Sequence, residues 1–414
     1  MQRILIVEDN KTLAKLIAKK IESEIDVAVD VAYSLKEAKL FMKMYKHFLI
    51  LADLNLPDAP DGEIVDYALK KENRVIVLSG SVDKDLRKQL LSKNIIDYIN
   101  KGGINDINYI INTINRLRKN ANHTILVVDD SMVFRKQMKK MLENLFYKVV
   151  TVAHGEEAIN LIQTNIDISL VLTDYNMPVM DGIELTAAIR AIHTKNELSI
   201  IAISSNDDEE INALFLKEGA NDYIKKPFSK EEFSCRVNNS IEALENIQII
   251  TNSANRDFLT GLYNRRYFFK NVQAYFDEAV QSGEDFAIAM IDIDHFKKIN
   301  DTYGHDTGDK AIINISELLR ANTNHNDIVA RFGGEEFCIL LKNITPSTAK
   351  DVMEKLRQKV EKLITISDKN QEIQFNISIG LVTHYEDTLE GTINQADLYL
   401  YDAKNNGRNQ VVSN

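Results

Sequence analysis

Short apolar runs alternate with amphipathic stretches along the first 245 residues. Runs such as Ile4–Val7 and Ile125–Val128 are apolar throughout, which is typical of strands buried on both faces of a parallel sheet. Strands of this kind that alternate with helical patterns predict βαβα units and a doubly wound α/β fold. In such sheets the functional groups lie beyond the carboxyl ends of the strands.

The first half of the chain contains an internal repeat. Repeats are considered before other features because a missed repeat leads to a wrong fold prediction. Four landmarks recur in the same order: Glu8-Asp9 as Asp129-Asp130, Asp53 as Asp174, Ser79 as Ser204, and Lys101 as Lys226. The first two pairs are offset by 121 residues and the last two by 125. One small length change across four ordered landmarks makes coincidence a poor explanation.

The repeated residue types share one chemistry. Three carboxylates placed together repel one another and favour a hard cation, and Mg²⁺ prefers oxygen ligands. An aspartate beside that cation can attack a phosphoryl donor while a lysine neutralises the developing charge. A nearby hydroxyl can then bind the new phosphate. The alternative is that the acids only cap helices and that the serines and lysines are surface residues. The complete ordered set, found twice, disfavours it.

The repeat resembles the receiver domain of two-component response regulators, over residues 1–120 and again over 122–245. The resemblance implies two flavodoxin-like domains, each phosphorylated on aspartate by a cognate histidine kinase or phosphotransfer protein. It implies the phosphoacceptors Asp53 and Asp174, and Mg²⁺ sites formed with them by Glu8, Asp9, Asp129 and Asp130. It also implies the switch residues Ser79, Lys101, Tyr98, Ser204, Lys226 and Tyr223.

The two copies differ in their loops. The second has Met177–Gly182 and a Lys226-Pro227 pair, which in this family is often a cis bond. The first has one extra residue in Leu56–Gly62, then loses about five residues before Ser79, which predicts a shorter helix. Its Lys101 is followed by Gly102. These departures concern loop geometry and the dimer face, because both copies keep a complete phosphoacceptor set.

Residues 229–256 are predicted to be helical throughout. An apolar seam with heptad character follows the positions Phe233, Val237, Ile241, Leu244, Gln248 and Thr251. The start of the seam is also explained by the last receiver helix lying on its own sheet. No Gly or Pro interrupts the pattern past Ile241, which favours a rigid helix whose part over 246–256 links the receivers to a third domain.

The third domain, 257–414, carries a predicted β-hairpin with Gly333-Gly334 at its tip. Glu335 and Glu336 are expected to begin the returning strand and to point to opposite faces. A buried strand, Ala287–Ile291, ends in Asp292. If the two strands are adjacent, Asp292 and Glu335 converge on one metal, and oxygen-only ligands favour Mg²⁺ or Mn²⁺.

Basic side chains complete this pattern. Lys404 and Arg408 are spaced i, i+4 and are expected to share one helical face that holds phosphates. Metal-binding carboxylates with basic phosphate contacts are the equipment of phosphoryl or nucleotidyl transfer. A lone Gly-Gly-Glu-Glu is usually an exposed acidic turn. Here it occurs with three further motifs in order, beginning at Asp257, Ile291 and Tyr401.

The four motifs resemble the GGDEF family of diguanylate cyclases, over about residues 257–414. The resemblance implies a nucleotidyl-cyclase-like α/β domain that condenses two GTP molecules into cyclic di-GMP and two pyrophosphates. It implies that Asp292, the carbonyl of Ile293 and Glu335 bind metal, and that Glu336 assists and activates the 3′-hydroxyl. It implies GTP contacts from Asn300, Asp309, Phe296, Lys297, Gly333, Gly334, Lys404 and Arg408. Each domain holds one GTP, so the enzyme is expected to act as a homodimer.

One family feature is degenerate. The product-inhibition site of the family is Arg-x-x-Asp, and here Asn324 stands in the place of the arginine, three residues before Asp327. Asn324 lacks the bidentate cation that grips a guanine and a phosphate. The sequence therefore predicts weak or absent feedback through this site.

The composition of the chain excludes several other classes of protein. The 414 residues fit about three domains. A net charge of −11 argues against a nucleic-acid binder. Two distant cysteines and no long apolar stretch argue against a disulfide scaffold, a structural zinc site and a membrane span, and favour a cytoplasmic protein. Two alternatives stay open: a GTP- or cyclic-di-GMP-binding module without turnover, and a phosphorelay intermediate.

Overall fold

The computed structural model describes residues 2–80, 89–90, 93–101, 104–164, 167–204, 209–384 and 386–414. The chain divides into two compact units, Met1–Gln248 and Ile249–Asn414. The first unit contains both copies of the repeat, and the second contains the four carboxyl-terminal motifs. Each unit is α/β, as predicted.

The first copy of the repeat is a doubly wound domain. Its described elements are β1 (Arg3–Val7), α1 (Lys11–Glu24), β2 (Ala28–Ala32), α2 (Leu35–Met44), β3 (Leu49–Asp53), α3 (Glu63–Lys70), β4 (Val75–Ser79), β5 (Asp97–Asn100) and α4 (Ile104–Asn120). The strands are parallel, in the order β2-β1-β3-β4-β5. All residues of β3 and β4 are buried, as strands covered on both faces require.

The second copy repeats this architecture. Its described elements are β6 (Thr124–Val128), α5 (Met132–Asn144), β7 (Lys148–Val152), α6 (Gly155–Gln163), β8 (Leu170–Asp174), α7 (Gly182–Arg190), β9 (Ser199–Ser204), α8 (Glu209–Glu218), β10 (Asp222–Lys225) and α9 (Lys230–Asn255). The parallel order is β7-β6-β8-β9-β10, which matches the first copy strand for strand.

The length difference between the copies lies mainly in a loop. Helix α3 has 8 residues and α7 has 9. The connection that follows runs over 71–74 in the first copy and over 191–198 in the second. The prediction of a shortened helix is therefore wrong for most of the deletion. A surface connection can lose residues without losing buried apolar positions, which a helix of the core cannot.

One apolar core continues from the first copy into the second. It includes Ile110 and Ile114 of α4, Met141 of α5, and Phe233 and Ile241 of α9. Because helices of both copies contribute to the same core, the two receivers are packed together as one unit.

Hydrogen bonds and one aromatic stack cross the same junction between the receivers. Arg116 of α4 donates two hydrogen bonds to the Glu245 carboxylate of α9, each 2.8 Å long. His123 Nε2 lies 2.8 Å from Oε1 of the same carboxylate. The rings of Phe48 and Phe146 stack with their centroids 4.2 Å apart. Paired hydrogen bonds between a guanidinium and a carboxylate are strong and directional, so they set the register of α4 against α9.

The helix predicted over 229–256 is confirmed as α9. The first four seam positions are buried, namely Phe233, Val237, Ile241 and Leu244. The last two, Gln248 and Thr251, are exposed. Phe233, Val237 and Ile241 belong to the core shared by the receivers. The buried start of the seam is thus explained by packing on the receiver unit.

The second unit is built on a mixed sheet. Its described elements are β11 (Tyr263–Asn264), α10 (Arg265–Ser282), β12 (Phe286–Ile293), α11 (Phe296–Tyr303), α12 (His305–Ala321), β13 (Ile328–Gly333), β14 (Glu336–Lys342), α13 (Pro346–Glu361), β15 (Thr365–Ile366), β16 (Glu372–Ile373), β17 (Ile377–Val382), α14 (Leu389–Asn405) and β18 (Val411–Ser413). The main sheet has the order β11-β13-β14-β12-β17-β18, and β15 pairs only with β16. Strand β12 is fully buried between antiparallel β14 and β17.

The predicted hairpin is confirmed, with one change at its tip. Gly333 pairs with Glu336, so Gly334 and Glu335 form the turn. The prediction that Glu335 begins the returning strand is therefore wrong, because β14 starts one residue later, at Glu336. Gly334 has φ +49°, a conformation that favours glycine.

Helix length and composition bear on a membrane location. None of the helices described above is long and apolar enough to cross a bilayer.

Candidate functional site

Acidic side chains gather at the carboxyl end of the first receiver sheet. Glu8 follows β1 and Asp53 ends β3, and they are 1% and 2% exposed. Asp9 is exposed beside them. One carboxylate oxygen from each of the three lies within 4.8 Å of the others. Three oxygen ligands at this spacing fit one hard cation such as Mg²⁺.

Lys101 closes this carboxylate cluster. Its Nζ lies 2.9 Å from Glu8 Oε2 and 2.6 Å from Asp53 Oδ2. Burial raises the pKa of Glu8, and the hydrogen bonds from Lys101 offset part of that rise. Burial also opposes the charge on Lys101, but the two carboxylates raise the pKa of the lysine above its ordinary value. The lysine thus holds the acids together as a charged network.

The predicted switch residues of the first receiver border the same edge. Ser79 ends β4, and its carbonyl accepts a hydrogen bond of 2.8 Å from the backbone N–H of Lys101. Tyr98 lies on β5 and is buried in the core, at 8% exposure. Gly102, which follows Lys101, lies outside the described residues.

The second receiver places its counterparts at the matching edge. Asp129 and Asp174 are 2% and 9% exposed. Lys226 Nζ lies 2.7 Å from Asp174 Oδ1 and 3.4 Å from Asp129 Oδ2. The same ammonium lies 3.8 Å from the ring centroid of Phe134. Burial raises the pKa of Asp129. Asp130 is exposed.

The remaining predicted residues of the second receiver also fall at this edge. Ser204 is buried at the end of β9, and its carbonyl accepts a 2.7 Å hydrogen bond from the backbone N–H of Lys226. Tyr223 is half-buried on β10. The Lys226–Pro227 bond is cis, as expected.

The two receiver clusters differ in compactness. Across the described part of the chain, the first receiver's trio is the one set of three acidic, histidine or cysteine side chains drawn within 4.8 Å. Two other predicted metal sets are more open, namely Asp129 with Asp130 and Asp174, and Asp292 with Glu335 and Glu336. Side-chain length explains part of the difference between the receivers, because Glu8 has one methylene more than Asp129.

A third acidic site lies on the sheet of the second unit. Asp292, near the end of β12, is directly opposite Glu336 of antiparallel β14. The pKa of Asp292 is raised to about 6, because burial raises it most, the contact with Lys404 lowers it, and the charges of Glu335 and Glu336 add to the rise. The predicted adjacency of the two strands is confirmed, and the three acids lie close enough to repel one another.

The two predicted phosphate-binding cations occupy different settings. Lys404 lies on α14, with its Nζ 2.9 Å from Asp292 Oδ2. Helix α14 ends at Asn405, so Arg408 does not share a helical face with Lys404, contrary to the prediction. Gly407 has φ +111° and turns the chain out of the helix. Arg408 Nε then lies 4.0 Å from Asp294 Oδ1.

Asn300 and Asp309 lie where α11 meets α12. The Oδ1 atom of Asn300 is buried and has no hydrogen-bond partner among the described residues. A Cβ on Gly308 would lie 1.9 Å from that oxygen, so only glycine leaves room for the amide. Phe296 and Lys297 open α11, where the first N–H groups have no partner within the helix.

Three residues that received no predicted role support the hairpin tip and the loop beside it. Arg331 donates from Nε and Nη2 to the Gly334 carbonyl, at 2.9 and 2.8 Å, and from Nη1 to Asp257 Oδ1 at 2.9 Å. Asp294 accepts from Ser378 Oγ at 2.7 Å and from the Asn409 N–H at 3.0 Å. Asp257, Asp294 and Arg331 all lie inside the sequence motifs, and that position was the only signal for them.

The degenerate inhibitory pair forms a turn. The Asp327 carboxylate accepts hydrogen bonds from the N–H groups of Asn324, at 2.7 Å, and Lys342, at 3.0 Å. Arg320, the nearest preceding arginine, lies seven residues before Asp327 and donates to the Thr260 carbonyl at 3.2 Å.

Comparison with known proteins places this geometry in context. The receiver-domain model of response regulators matches residues 4–112 and 125–238, which together make up more than half of the chain. The model described as "Diguanylate cyclase, GGDEF domain" matches residues 254–410.

Individual relatives agree with these matches. The chain is 30% identical to the response regulator PleD of Caulobacter vibrioides over 298 residues, which are 70% of this chain and 65% of PleD. The match thus spans slightly less than two thirds of that relative. Diguanylate cyclase A of Treponema denticola is 38% identical over 41% of this chain and 47% of its own length.

A solved structure joins both domain types. A crystal structure described as a two-component system response regulator/GGDEF domain protein is 35% identical, with a TM-score of 0.53. It matches over its whole length and over 59% of this chain. With two receiver domains followed by a GGDEF domain, the chain belongs to the response regulators of the receiver–GGDEF family.

Proposed function

We propose that the chain is a diguanylate cyclase that condenses two GTP molecules into cyclic di-GMP and is controlled by its receivers. The domain boundaries of the proposal are those expected from the sequence: 1–120 and 122–245 for the receivers, 246–256 for the linker, and 257–414 for the cyclase. In this proposal the protein acts in the cytoplasm.

The acids of the second unit suit a divalent cation, on which GGDEF enzymes generally depend. The donors are oxygen atoms only. Burial, together with the charges of Glu335 and Glu336, raises the pKa of Asp292 to about 6, and a cation would favour the ionised carboxylate. Asp292, Glu335 and the carbonyl of Ile293 would hold Mg²⁺ or Mn²⁺, which would offset the charge of the triphosphate. Because the chain supplies a lysine at the same point, Lys404 would neutralise part of that charge as well.

GTP recognition is assigned to the surroundings of α11. The buried, unpartnered Oδ1 of Asn300 is an acceptor suited to an N–H of guanine, and Asp309 follows the glycine packed against it. The opening N–H groups of α11 at Phe296 and Lys297 would bind phosphate oxygens. Gly333 and Gly334 leave the hairpin tip open to a ligand, and Arg408 adds a further cation.

The reaction balances with two nucleotides. The 3′-oxygen of one GTP bonds to the α-phosphorus of the other, the bond from that phosphorus to the β-phosphate oxygen breaks, and pyrophosphate leaves. Glu336 takes the proton of the 3′-hydroxyl. The 3′-oxygen of the second nucleotide then attacks the α-phosphorus of the first in the same way, which closes the ring and releases a second pyrophosphate. Since each domain holds one GTP, two chains must meet.

The receivers supply control in this proposal. Asp53 and Asp174 accept phosphoryl groups from a histidine kinase or phosphotransfer protein. Glu8 and Asp9, and in the second copy Asp129 and Asp130, would complete the Mg²⁺ sites. Lys101 and Lys226 neutralise the phosphate, and Ser79 and Ser204, with Tyr98 and Tyr223, respond to it. Phosphorylation would then favour the homodimer.

Feedback by the product is expected to be weak. Asp327 is already engaged by two backbone N–H groups and has no arginine three residues before it. Cyclic di-GMP should therefore inhibit poorly, and Asp327→Ala should leave inhibition unchanged. Low-micromolar inhibition that disappears in Asp327→Ala would contradict this expectation.

The convergence of Asp292, Glu335 and Glu336 on one edge, beside Lys404, carries the proposal. The test is GTP with Mg²⁺ and the full chain, with the products separated by chromatography. Glu336→Gln should abolish cyclic di-GMP while GTP binding persists. Glu317→Gln, an exposed acid of the same unit, is the matched control and should turn over normally. Equal activity in Glu336→Gln and the control would reject the assigned role.

A further inference from the structure

A basic cleft lies in the receiver unit at the end of the first sheet opposite the phosphoacceptor. It has a volume of about 900 Å³. The ends of α2 and α3, the loops that enter β3 and β4, and helix α5 of the second receiver line it. Pockets for small ligands span about 300–1,000 Å³, so the cleft can hold a nucleotide.

The cleft concentrates positive charge in an acidic chain. The chain carries a net charge of −11, yet cations line this cleft from both receivers, namely Lys43, Lys46, Lys71, Arg74 and Lys140. Among the described residues the acids in the lining are Glu72 and Glu143. None of the four lysines is seen in an ion pair with a described residue. Five cations against two carboxylates leave an excess of positive charge, so the cleft favours an anion.

Two residues that line the cleft each carry a buried polar atom with no partner among the described residues. The His47 side chain is 0% exposed; its Nε2 lies 3.0 Å from Asp30 Oδ2, while its Nδ1 has no described partner. Arg74 donates from Nη2 to the Glu143 carbonyl at 2.9 Å, but its buried Nε–H has no described acceptor. Buried polar atoms are nearly always hydrogen-bonded. Both residues line the same cleft, which is an observation independent of the lysines.

We infer that this cleft binds a phosphate-rich small molecule of the size of a nucleoside di- or triphosphate. Lysine and arginine are the side chains that recognise phosphate, through charge-assisted hydrogen bonds. Met44 and Tyr45 also line the cleft, and they are 66% and 40% exposed. They offer an apolar and aromatic surface to the remainder of such a ligand.

The position of the cleft gives the ligand a structural consequence. Lys71 and Arg74 belong to the first receiver and Lys140 to the second, so one bound polyanion contacts both. A ligand that binds only the packed form stabilises that form by mass action. Occupancy should therefore strengthen the junction between the receivers.

The test uses the full chain without divalent metal, titrated calorimetrically with pyrophosphate and, separately, with GTP. The cleft variant is Lys71→Gln/Lys140→Gln. The matched control is Lys70→Gln/Lys136→Gln, which removes the same charge from exposed neighbours on α3 and α5 outside the lining. Binding at the carboxyl-terminal unit is common to all three proteins, so only the difference between them reports on the cleft.

The expected result is binding that is at least about tenfold weaker in the cleft variant and unchanged in the control. Pyrophosphate should also raise the unfolding temperature of the receiver unit in the wild type and the control, but not in the cleft variant. The comparison uses only the binding that the cleft variant loses: equal affinities for GTP and pyrophosphate support recognition of phosphates alone, and tighter GTP supports added contact with Tyr45. Equal binding by all three proteins, or none by the wild type, would overturn the inference.

Discussion

The two receivers share one strand order but hold their acids differently. Lys101 contacts both buried carboxylates of the first copy, at 2.9 and 2.6 Å. Lys226 makes one close contact, at 2.7 Å, and one of 3.4 Å. The longer Glu8 closes the first cluster, and its three acids come within 4.8 Å. The same fold can thus carry a compact cluster or an open one. The difference depends on the extra methylene of Glu8 and on how many carboxylates the lysine contacts closely.

The loop after the phosphoacceptor differs in the same way. In the first copy, Asp58 accepts hydrogen bonds from the N–H groups of Leu35 and Lys36, at 2.8 and 2.9 Å, which ties the longer loop to α2. In the second, Asp181 and Glu184 form a capping box on α7. The extra residue of the first loop therefore comes with an anchor of its own.

The largest expected difference concerns the phosphoryl group itself. With acetyl phosphate and Mg²⁺, the intact mass of the wild type should show two phosphoryl additions. Asp53→Asn and Asp174→Asn should each lose one, because each removes the only nucleophile of its site, and the double variant should lose both. Two additions that persist in either single variant would mean that another side chain accepts the phosphoryl group.

The next largest expected effect is the loss of folding stability when the lysine of either cluster is replaced. Lys101→Met leaves two buried carboxylates unpaired and should cost about 3–5 kcal/mol in the metal-free chain. Lys226→Met should cost less, about 2 kcal/mol, since that lysine is more exposed and makes one close contact. Differential scanning calorimetry measures both, because the chain has no tryptophan to report by fluorescence.

Magnesium is the control for the lysine comparison. A cation in the cluster would neutralise the two carboxylates that the substitution leaves unpaired, so Mg²⁺ should recover more stability in Lys101→Met than in Lys226→Met. Equal costs in the two variants would remove the distinction between a compact and an open cluster.

The junction between the receivers should respond to acid. Burial opposes ionisation of Glu245, but Arg116 and His123 lower its pKa from 4.5 to about 2. A carboxyl whose folded pKa is depressed stabilises the fold above its unfolded pKa. Up to about 3 kcal/mol should therefore be present above pH 4.5 and lost as the pH falls toward 2.

Glu245→Gln isolates this effect. The variant should be less stable at neutral pH by about 2–3 kcal/mol and should lose the acid-dependent part, because Arg116 loses the carboxylate that accepts its two hydrogen bonds. Glu22→Gln, an exposed acid of α1 in the same unit, serves as the control. Parallel stability-versus-pH curves for the wild type and Glu245→Gln would contradict the assignment.

The smallest effect concerns the loop anchor. Asp58→Ala removes two hydrogen bonds to the start of α2 and should lower the stability slightly. Asp181→Ala should cost a similar amount in the second copy. Chemical denaturation followed by circular dichroism compares the two. A cost near zero for Asp58→Ala would show that the longer loop holds its place without the anchor.

The sequence predicted the features that depend on local pattern and on repetition. The strand-ending positions of Asp53 and Asp174 follow from apolar runs, and the uninterrupted helix through Ile241 follows from its period. Features that depend on distant contacts were not predictable. Arg331 reaches Asp257 and the Gly334 carbonyl only in the folded chain. Arg408 left the helix because Gly407 turns the backbone, a local choice that i, i+4 spacing ignores.

Synthesis of cyclic di-GMP by the full chain is the most direct test of the account. GTP and Mg²⁺ should be supplied with and without beryllofluoride, and both products quantified. The account predicts two pyrophosphates for each cyclic di-GMP, and a stimulation by beryllofluoride that is lost in the Asp53→Asn/Asp174→Asn double variant. GTP left unchanged under every condition would contradict the account.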